Sequence, residues 1–489
     1  MLFNSIKFVL FFPLAAAGSF VLPGKLRNLF LLAASYFFYM CWNPKYALLM
    51  LFSTLVTWAA GLLLPRAKTV RGKKWVVAAC LAANLGVLVV FKYAGFLLQN
   101  LNALLGAFGL GAVGQGFSVL LPVGISFYTF QAIGYTIDVY RGRLAPEQSF
   151  CSYALFVSFF PQLVAGPIER STNMLPQFKA PHPFDYAEAK AGLVQMLWGY
   201  IQKLVIADRL ALLVDAVFAA PGQFGSLASA LAAVFFAVQL YCDFSSYSDI
   251  AIGAARVMGF KLTRNFNAPY LSASIGEFWA NWHITLSSWF RDYLYIPLGG
   301  NRKGLWRTCL NLMIVFLVSG LWHGAAWTFV VWGGLHGAYT VASRLSGPLR
   351  ARLCAQLGVN RQGRLHRAAC VLLTFCFTSL AFVFFRAKSL ADAAAVLSGL
   401  LRWDAAPFGG AGFEGLGIDA ADFWVGCAAI LCLFITDLLR KKRGPLTPLL
   451  LAKPLAVQWA VLLAGIAAVV VFGMYGAGYK EVPFIYFQF

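Results

Sequence analysis

Negative charge is scarce in this sequence. Eighteen residues are Asp or Glu against 39 Lys and Arg, and charged residues of both signs make up 12% of 489 positions. Soluble domains carry nearer a quarter, so a water-facing globule is excluded. Histidine is scarcer still, with five in the chain. The ten cysteines are scattered, mostly inside apolar runs (Cys41, Cys80, Cys242, Cys309, Cys376 and Cys432), and no CxxC or Cys/His ligand spacing occurs. They read as small buried hydrophobes, and no metal is expected. Also missing are a GxSxG elbow, a Walker loop, an HExxH pair and a dinucleotide-binding βαβ fingerprint. Hydride, nucleotide and metalloprotease chemistry therefore lack support.

What is present is apolar. Hydrophobic residues make up 60% of the chain and the mean hydropathy is +0.73. Runs of membrane-spanning length recur from end to end, so the chain reads as an all-α polytopic membrane protein, one helical bundle over 1–489. The opening MLFNSIKFVLFFPLAAAGSFVL lacks a strongly basic start, and a second apolar run follows closely. It reads as a retained first span rather than a signal peptide.

The net charge of +21 would suggest a nucleic-acid partner in a soluble protein. Here the basic residues fall in short loops between spans, which the positive-inside rule explains, so membrane lipid and not nucleic acid is the surrounding expected. Loops 65–74 (Arg66, Lys68, Arg71, Lys73, Lys74), 301–307 (Arg302, Lys303, Arg307), 344–367 and 440–443 are predicted cytoplasmic. The uncharged loop 99–118 and the acidic loop 402–422 (Asp404, Glu414, Asp419, Asp422) are predicted external. Candidate spans are 8–22, 28–42, 46–64, 75–98, 119–139, 188–218, 229–256, 307–325, 327–343, 368–386, 421–438 and 455–473. Runs 149–165 and 276–298 are apolar but broken by Pro, Gly and polar residues, and read as re-entrant or interfacial. This gives about 11 to 13 membrane elements. The last span then runs outward from the basic 440–443, which leaves 474–489, ending FIYFQF, as an external aromatic tail.

Three histidines lie in or beside apolar segments: His283 in EFWANWHITLSSWFRDYLYIPLGGNRKG, His323 in VSGLWHGAAW and His336 in WGGLHGAY. An ionisable group at membrane depth is a candidate functional site, because burying it is costly. The alternative for each is a neutral imidazole bonded between helices. His182 and His366 fall in polar loops and are expected to be solvated. Loops 301–307 and 344–367 are both basic, so the segment between them is predicted to be a hairpin. His323, 16 residues past Arg307, lies roughly 24 Å along a helix, near the turn. His283 lies in interrupted backbone, which at membrane depth must line a protein-enclosed cavity. The two then approach a polar passage from opposite sides, flanked by Asn281, Trp282 and Trp322. The string YCDFSSYSD adds Asp243, Ser245, Ser246, Tyr247, Ser248 and Asp249 within a span, tolerable only at a wet cavity or helix contact. Arg291 and Asp292 follow His283 as further lining candidates or as a structural pair. Glu169 and Arg170 end the interrupted FFPQLVAGPIER.

A His that deprotonates a hydroxyl for attack on a thioester needs only one or two such imidazoles and an apolar tunnel, so acyl transfer fits. A transporter, with Asp249 and Arg256 as a proton relay, is the alternative of another class. It would favour inverted repeats, and the sequence has no convincing internal similarity.

LPVGISFYTFQAIGYTIDVYRG, FFPQLVAGPIER, QLYCDFSSYSDIAIGAARVMGF, NFNAPYLSASIGEFWANWHITLSSWFRDYLYIPLGGNRKG and SGLWHGAAWTFVVWGGLHG resemble the membrane-bound O-acyltransferase (MBOAT) superfamily, in its bacterial alginate O-acetyltransferase branch. The resemblance covers nearly the whole chain, with most of its specificity in 120–340. It implies a helical bundle around a membrane-crossing tunnel. It makes His323 the essential histidine and His283 its WHIT-type companion, with His336 structural or tunnel-lining. It implies acetyl-CoA or an acyl carrier protein as cytoplasmic donor. An SGNH-type periplasmic or membrane-anchored partner would pass the acyl group to an exported polysaccharide such as alginate. The setting implied is a bacterial inner membrane. The tail resembles a C-terminal aromatic-tyrosine motif whose tyrosine carries the acyl group briefly, here Tyr486. An acyltransferase acting directly on a lipid or small hydroxyl compound keeps the same histidine roles without the partner.

Overall fold

The computed structural model describes residues 1–114, 121–403, 413–476 and 484–485, and among these the regular secondary structure is helical throughout. Among the described residues, seven helices are long and apolar enough to cross a membrane: Pro44–Arg66, Val70–Ala107, Ser226–Val257, Gly304–His323, Arg364–Arg386, Ala420–Arg443 and Leu455–Phe472. Ile6–Val21 and Leu390–Gly399 are shorter apolar helices, the second of which the sequence reading did not anticipate. Internal contacts gather the chain into two compact units, Met1–Met196 with Tyr247–Thr263, and Leu197–Ser246 with Arg264–Phe489. The helix Ser226–Val257 contributes to both.

In the first unit, several polar side chains at apolar depth are tied to backbone, to other polar side chains or to an opposite charge. Buried Arg27 donates to Phe178 O at 2.9 Å, and its neighbour Asn28 donates to the same carbonyl at 2.9 Å. Glu147 receives Lys179 at 2.6 Å. Buried Glu169 accepts from the Thr263 backbone N–H and hydroxyl and from Asn173. Such pairing offsets the cost of burying a charge.

Several expectations need correction here. The predicted loop 99–118 starts late, because helix continues through Ala107; residues 115–120 lie outside the described residues. Asp249 and Arg256, read as a candidate relay, each have another polar partner. Asp249 accepts from Gln195 at 2.9 Å and Arg256 pairs with Glu188 at 2.6 Å. His182 is not simply solvated, since its Nε2 lies 2.7 Å from Gln177 O and its ring 4.5 Å from that of Phe260.

The predicted span 188–218 is helical, but a π-helical turn at Ile201–Ala207, in the second unit, interrupts it before Asp208–Ala219. Run 276–298 is broken as expected, into Ile275–Asn281, Ile284–Phe290 and a π turn at Arg291–Tyr295. His366 belongs to helix Arg364–Arg386 rather than a loop, and the predicted loop 344–367 also contains helix Gly347–Gln356. Asp404 lies outside the described residues. Glu277 receives Lys441 at 2.8 Å and Arg367 at 3.3 Å, so the broken segment is fastened to two of the basic ends.

The hairpin predicted between the basic loops is present as Gly304–His323 and Trp327–Leu345. Its helices cross backbone to backbone. A Cβ on Gly320 would meet Phe329 O at 2.3 Å, and one on Gly333 would meet Phe316 O at 2.3 Å. Only the absence of a side chain permits this approach, as in other small-residue crossings within membranes. The crossing fixes where His323, three residues past Gly320, emerges. Gly333→Ala should therefore cost about 1–3 kcal/mol, the usual effect of overpacking. Reversible unfolding of the detergent-solubilised protein measures it; an unchanged midpoint would mean the helices part without strain.

Candidate active site

His283 is built into a strained turn. Its backbone is left-handed, with φ 44° and ψ 54°, a region that L-residues with bulky side chains rarely occupy. Asn265 stabilises that conformation. Its backbone oxygen accepts the Ile284 N–H at 2.9 Å, and its Oδ1 accepts the Thr285 hydroxyl at 3.0 Å. His283 Nδ1 lies 3.1 Å from the same Oδ1. An amide oxygen only accepts, so Nδ1 carries the proton and Nε2 carries the lone pair. Asn281 closes the loop from the other end: its backbone oxygen accepts the Asn267 N–H at 3.0 Å and its Nδ2 donates to Glu277 O at 2.8 Å. Strain held by such a network is characteristic of functional sites.

His323 ends its helix, and its ring centroid lies 6.4 Å from that of His283. Both side chains are buried. The pair sits among aromatic rings: Trp322 at 4.9 Å, Trp332 at 4.9 Å and Phe385 at 5.5 Å from His323, and Phe244 at 4.6 Å from His283. Trp282 packs deeper, against Tyr241, Phe266 and Phe278. His336 is fully buried, 5.1 Å from Trp332 and 5.0 Å from Trp279, and neither ring nitrogen has a hydrogen-bond partner among the described residues. Trp332 thus lies between the His323 and His336 rings. Two imidazoles in an apolar wall form a proton-accepting centre from which bulk water is displaced.

The other sequence candidates divide. Arg291 is two-thirds exposed and pairs with Asp292 at 2.8 Å, not with either histidine. Ser245 donates to Gln202 in the π turn. Tyr247 belongs to the first unit, where its ring lies 4.6 Å from Phe3. Tyr486 lies outside the described residues.

Asp243 has a role that the sequence reading missed. One of its oxygens receives Lys203 Nζ at 2.7 Å, and the other accepts the backbone N–H of Ile485 at 2.6 Å. Lys203 also reaches Asp208 at 2.8 Å and stands 4.6 Å over the Phe484 ring. Lys203 is 0% exposed, and Phe484 and Ile485 are 1% and 3% exposed. Removing one partner of such a buried pair typically costs about 3–5 kcal/mol. Lys203 and Asp208 were legible as charges inside a predicted span; Asn265, Trp332 and Phe385 carried no sequence signal separating them from packing residues.

The sequence model of the membrane-bound O-acyltransferase family matches residues 143–385. The chain is 40% identical over 398 residues to a protein named probable alginate O-acetylase from Pseudomonas aeruginosa, covering 80% of this chain and 73% of that one. It is 37% identical over 440 residues to the peptidoglycan O-acetyltransferase of Helicobacter pylori, covering 82% and 80% of the two chains. A more distant likeness, 28% identity over 44% of this chain and 56% of the other, links it to the teichoic acid D-alanyltransferase of Bacillus subtilis.

The Asn265 contacts make a direct forecast for the imidazole. Nitrogen-15 NMR of labelled histidine should give the Nδ1–H tautomer for His283. Asn265→Leu should lose that preference and about 1–3 kcal/mol of stability, because it leaves buried donors without an acceptor. An unaltered tautomer in the variant would remove Asn265 from this role.

Proposed function

The chain belongs to the membrane-bound O-acyltransferase family and is an O-acyltransferase, and from that premise we propose that it carries acetyl groups across a bacterial inner membrane. The donor is cytoplasmic acetyl-CoA, the carrier is Tyr486, and an SGNH-type partner completes transfer to hydroxyls of an exported polysaccharide. The names of the relatives, alginate O-acetylases and a peptidoglycan O-acetyltransferase, support a polysaccharide acceptor.

The observation that carries the relay is one helical turn. Phe244 walls His283, and Asp243, its neighbour in sequence, holds Ile485. Tyr486 is the next residue of the chain. That adjacency in sequence is what supports a relay between Tyr486 and the histidine pair. The basic loops favour a cytoplasmic face at 301–307 and 440–443, which leaves the tail to act towards the outside.

In this reading His323 takes the phenolic proton while the Tyr486 oxygen bonds to the thioester carbonyl carbon. The C–S bond then breaks, and the departing thiolate recovers the proton from the imidazolium. His283, with Nδ1 committed to Asn265, presents Nε2 as an acceptor. It orients a hydrogen-bearing group rather than polarising the carbonyl. The phenyl acetate ester left on Tyr486 is a good acyl donor, and the partner's serine hydroxyl displaces the phenol.

His323→Ala should lower acetyl transfer by about 10²–10⁴-fold, the usual worth of a general base. Tyr486→Phe keeps the ring and removes the nucleophile. Mass spectrometry of the wild-type protein after acetyl-CoA treatment should find an acetyl group on Tyr486, and polymer acetylation should be lost in Tyr486→Phe. Normal acetylation with either variant, in cells lacking a paralogue, defeats the corresponding role.

A further inference from the structure

Among the described residues, four contacts tie down the C-terminal chain, and three of them come from the single segment 201–209. Arg209 donates to Phe472 O at 2.8 Å, at the end of the last long helix. Leu204 O accepts the Met474 N–H at 2.9 Å. Lys203 stands over the Phe484 ring, and Asp243 accepts the Ile485 N–H. Arg209 is itself fixed by Asp422 at 2.9 Å and by Val205 O at 2.9 Å.

The last of these contacts is chemically distinct. A carboxylate buried in an apolar bundle has been committed to a single backbone N–H near the chain end. Its charge is balanced by an ammonium that a second carboxylate also holds. Packing of Phe484 and Ile485 alone would not call for three buried charges, which are expensive to desolvate. A charged acceptor for a backbone donor gives a strong and directional hold on the main chain, which fixes the chain in register as apolar contact does not.

We propose that Lys203, Asp208 and Asp243 are positioning residues that seat the backbone at Ile485 and thereby set the reach of Tyr486 for acyl transfer. The proposal rests on the carrier reading of Tyr486. Within it, Asp243 bonds to the tail, Lys203 pairs with the other Asp243 oxygen and caps the Phe484 ring, and Asp208 holds Lys203 in place. The seat acts on the main chain, so it selects where the tyrosine stands and not which side chains surround it.

Two changes remove the same bond from opposite ends. Asp243→Ala deletes the acceptor and leaves Lys203 paired with Asp208, so the buried ammonium keeps a counter-charge. Ile485→Pro deletes the donor. Carboxypeptidase digestion of the full-length protein in detergent, followed by intact mass, reads tail seating without reference to chemistry. Each variant should lose its last residues at least about tenfold faster than wild type, as expected for a lost hydrogen bond to a charged group. The double variant should digest no faster than the quicker single one, because both changes delete one interaction. Additive effects, or wild-type digestion of Asp243→Ala, overturn the seat. Should Asp243→Ala fold poorly, Asp243→Asn keeps the volume and removes the charge, and the same digestion criterion applies.

Positioning is read separately in single-turnover labelling by radiolabelled acetyl-CoA. Asp243→Ala should acetylate Tyr486 at least about tenfold more slowly with an unchanged KM for acetyl-CoA; a normal rate with a released tail overturns the positioning role. Tyr486→Phe isolates the carrier reading. Its tail should digest at the wild-type rate whatever its acetylation, so loss of the carrier reading and loss of the seat give different results.

Discussion

An ammonium enclosed by two carboxylates constrains this molecule more than any other contact. Lys203, Asp208 and Asp243 are buried charges in a chain that is otherwise mostly apolar. Each would be prohibitive alone. Together they oblige the π-turn segment, the helix Ser226–Val257 and the chain end to meet at one point. The apolar residues around them are interchangeable in principle; the charges are not. The location of Phe484 and Ile485 therefore follows from electrostatics, while the Phe484 ring covers the ammonium.

The histidine pair obeys the same economy with weaker groups. Imidazoles are less costly to bury than ions, and aromatic edges can surround them without competing for their nitrogens. That leaves orientation as the problem, and Asn265 solves it for His283 through one oxygen shared among the ring and Thr285. His323 is placed instead by geometry, at the end of a helix whose glycine crossing leaves no freedom to slide. One histidine is held by hydrogen bonds and the other by close packing.

The helical architecture was readable because its signals are repeated. Long apolar runs and basic loops mark spans such as Gly304–His323 and Arg364–Arg386 many times over. The approach of His283 to His323 was also legible, because a broken segment and a hairpin between two basic loops leave few arrangements. Isolated partners were not. Asn265 lies 18 positions from the ring it holds, and Lys203 lies 40 positions from Asp243. Such pairs have no period, and an amide or a lysine near an apolar run does not name its companion. The end of the Val70–Ala107 helix was missed for a simpler reason: an uncharged, Gly-bearing stretch reads as loop although its first half continues the helix.

The π turn at Ile201–Ala207 has a consequence for pairing. In a regular α-helix, residues five apart stand about 140° from each other around the axis, so Lys203 and Asp208 would point in divergent directions. A π turn bonds across five residues and brings such positions nearly into line, which is the alignment their 2.8 Å contact requires. The ion pair is thus written in the count of residues as much as in their identity. Inserting one apolar residue between them would leave composition and hydrophobicity almost untouched, yet would set the two charges six apart, about 120° from each other around a regular helix, so this stretch is more sensitive to its length than to its spelling.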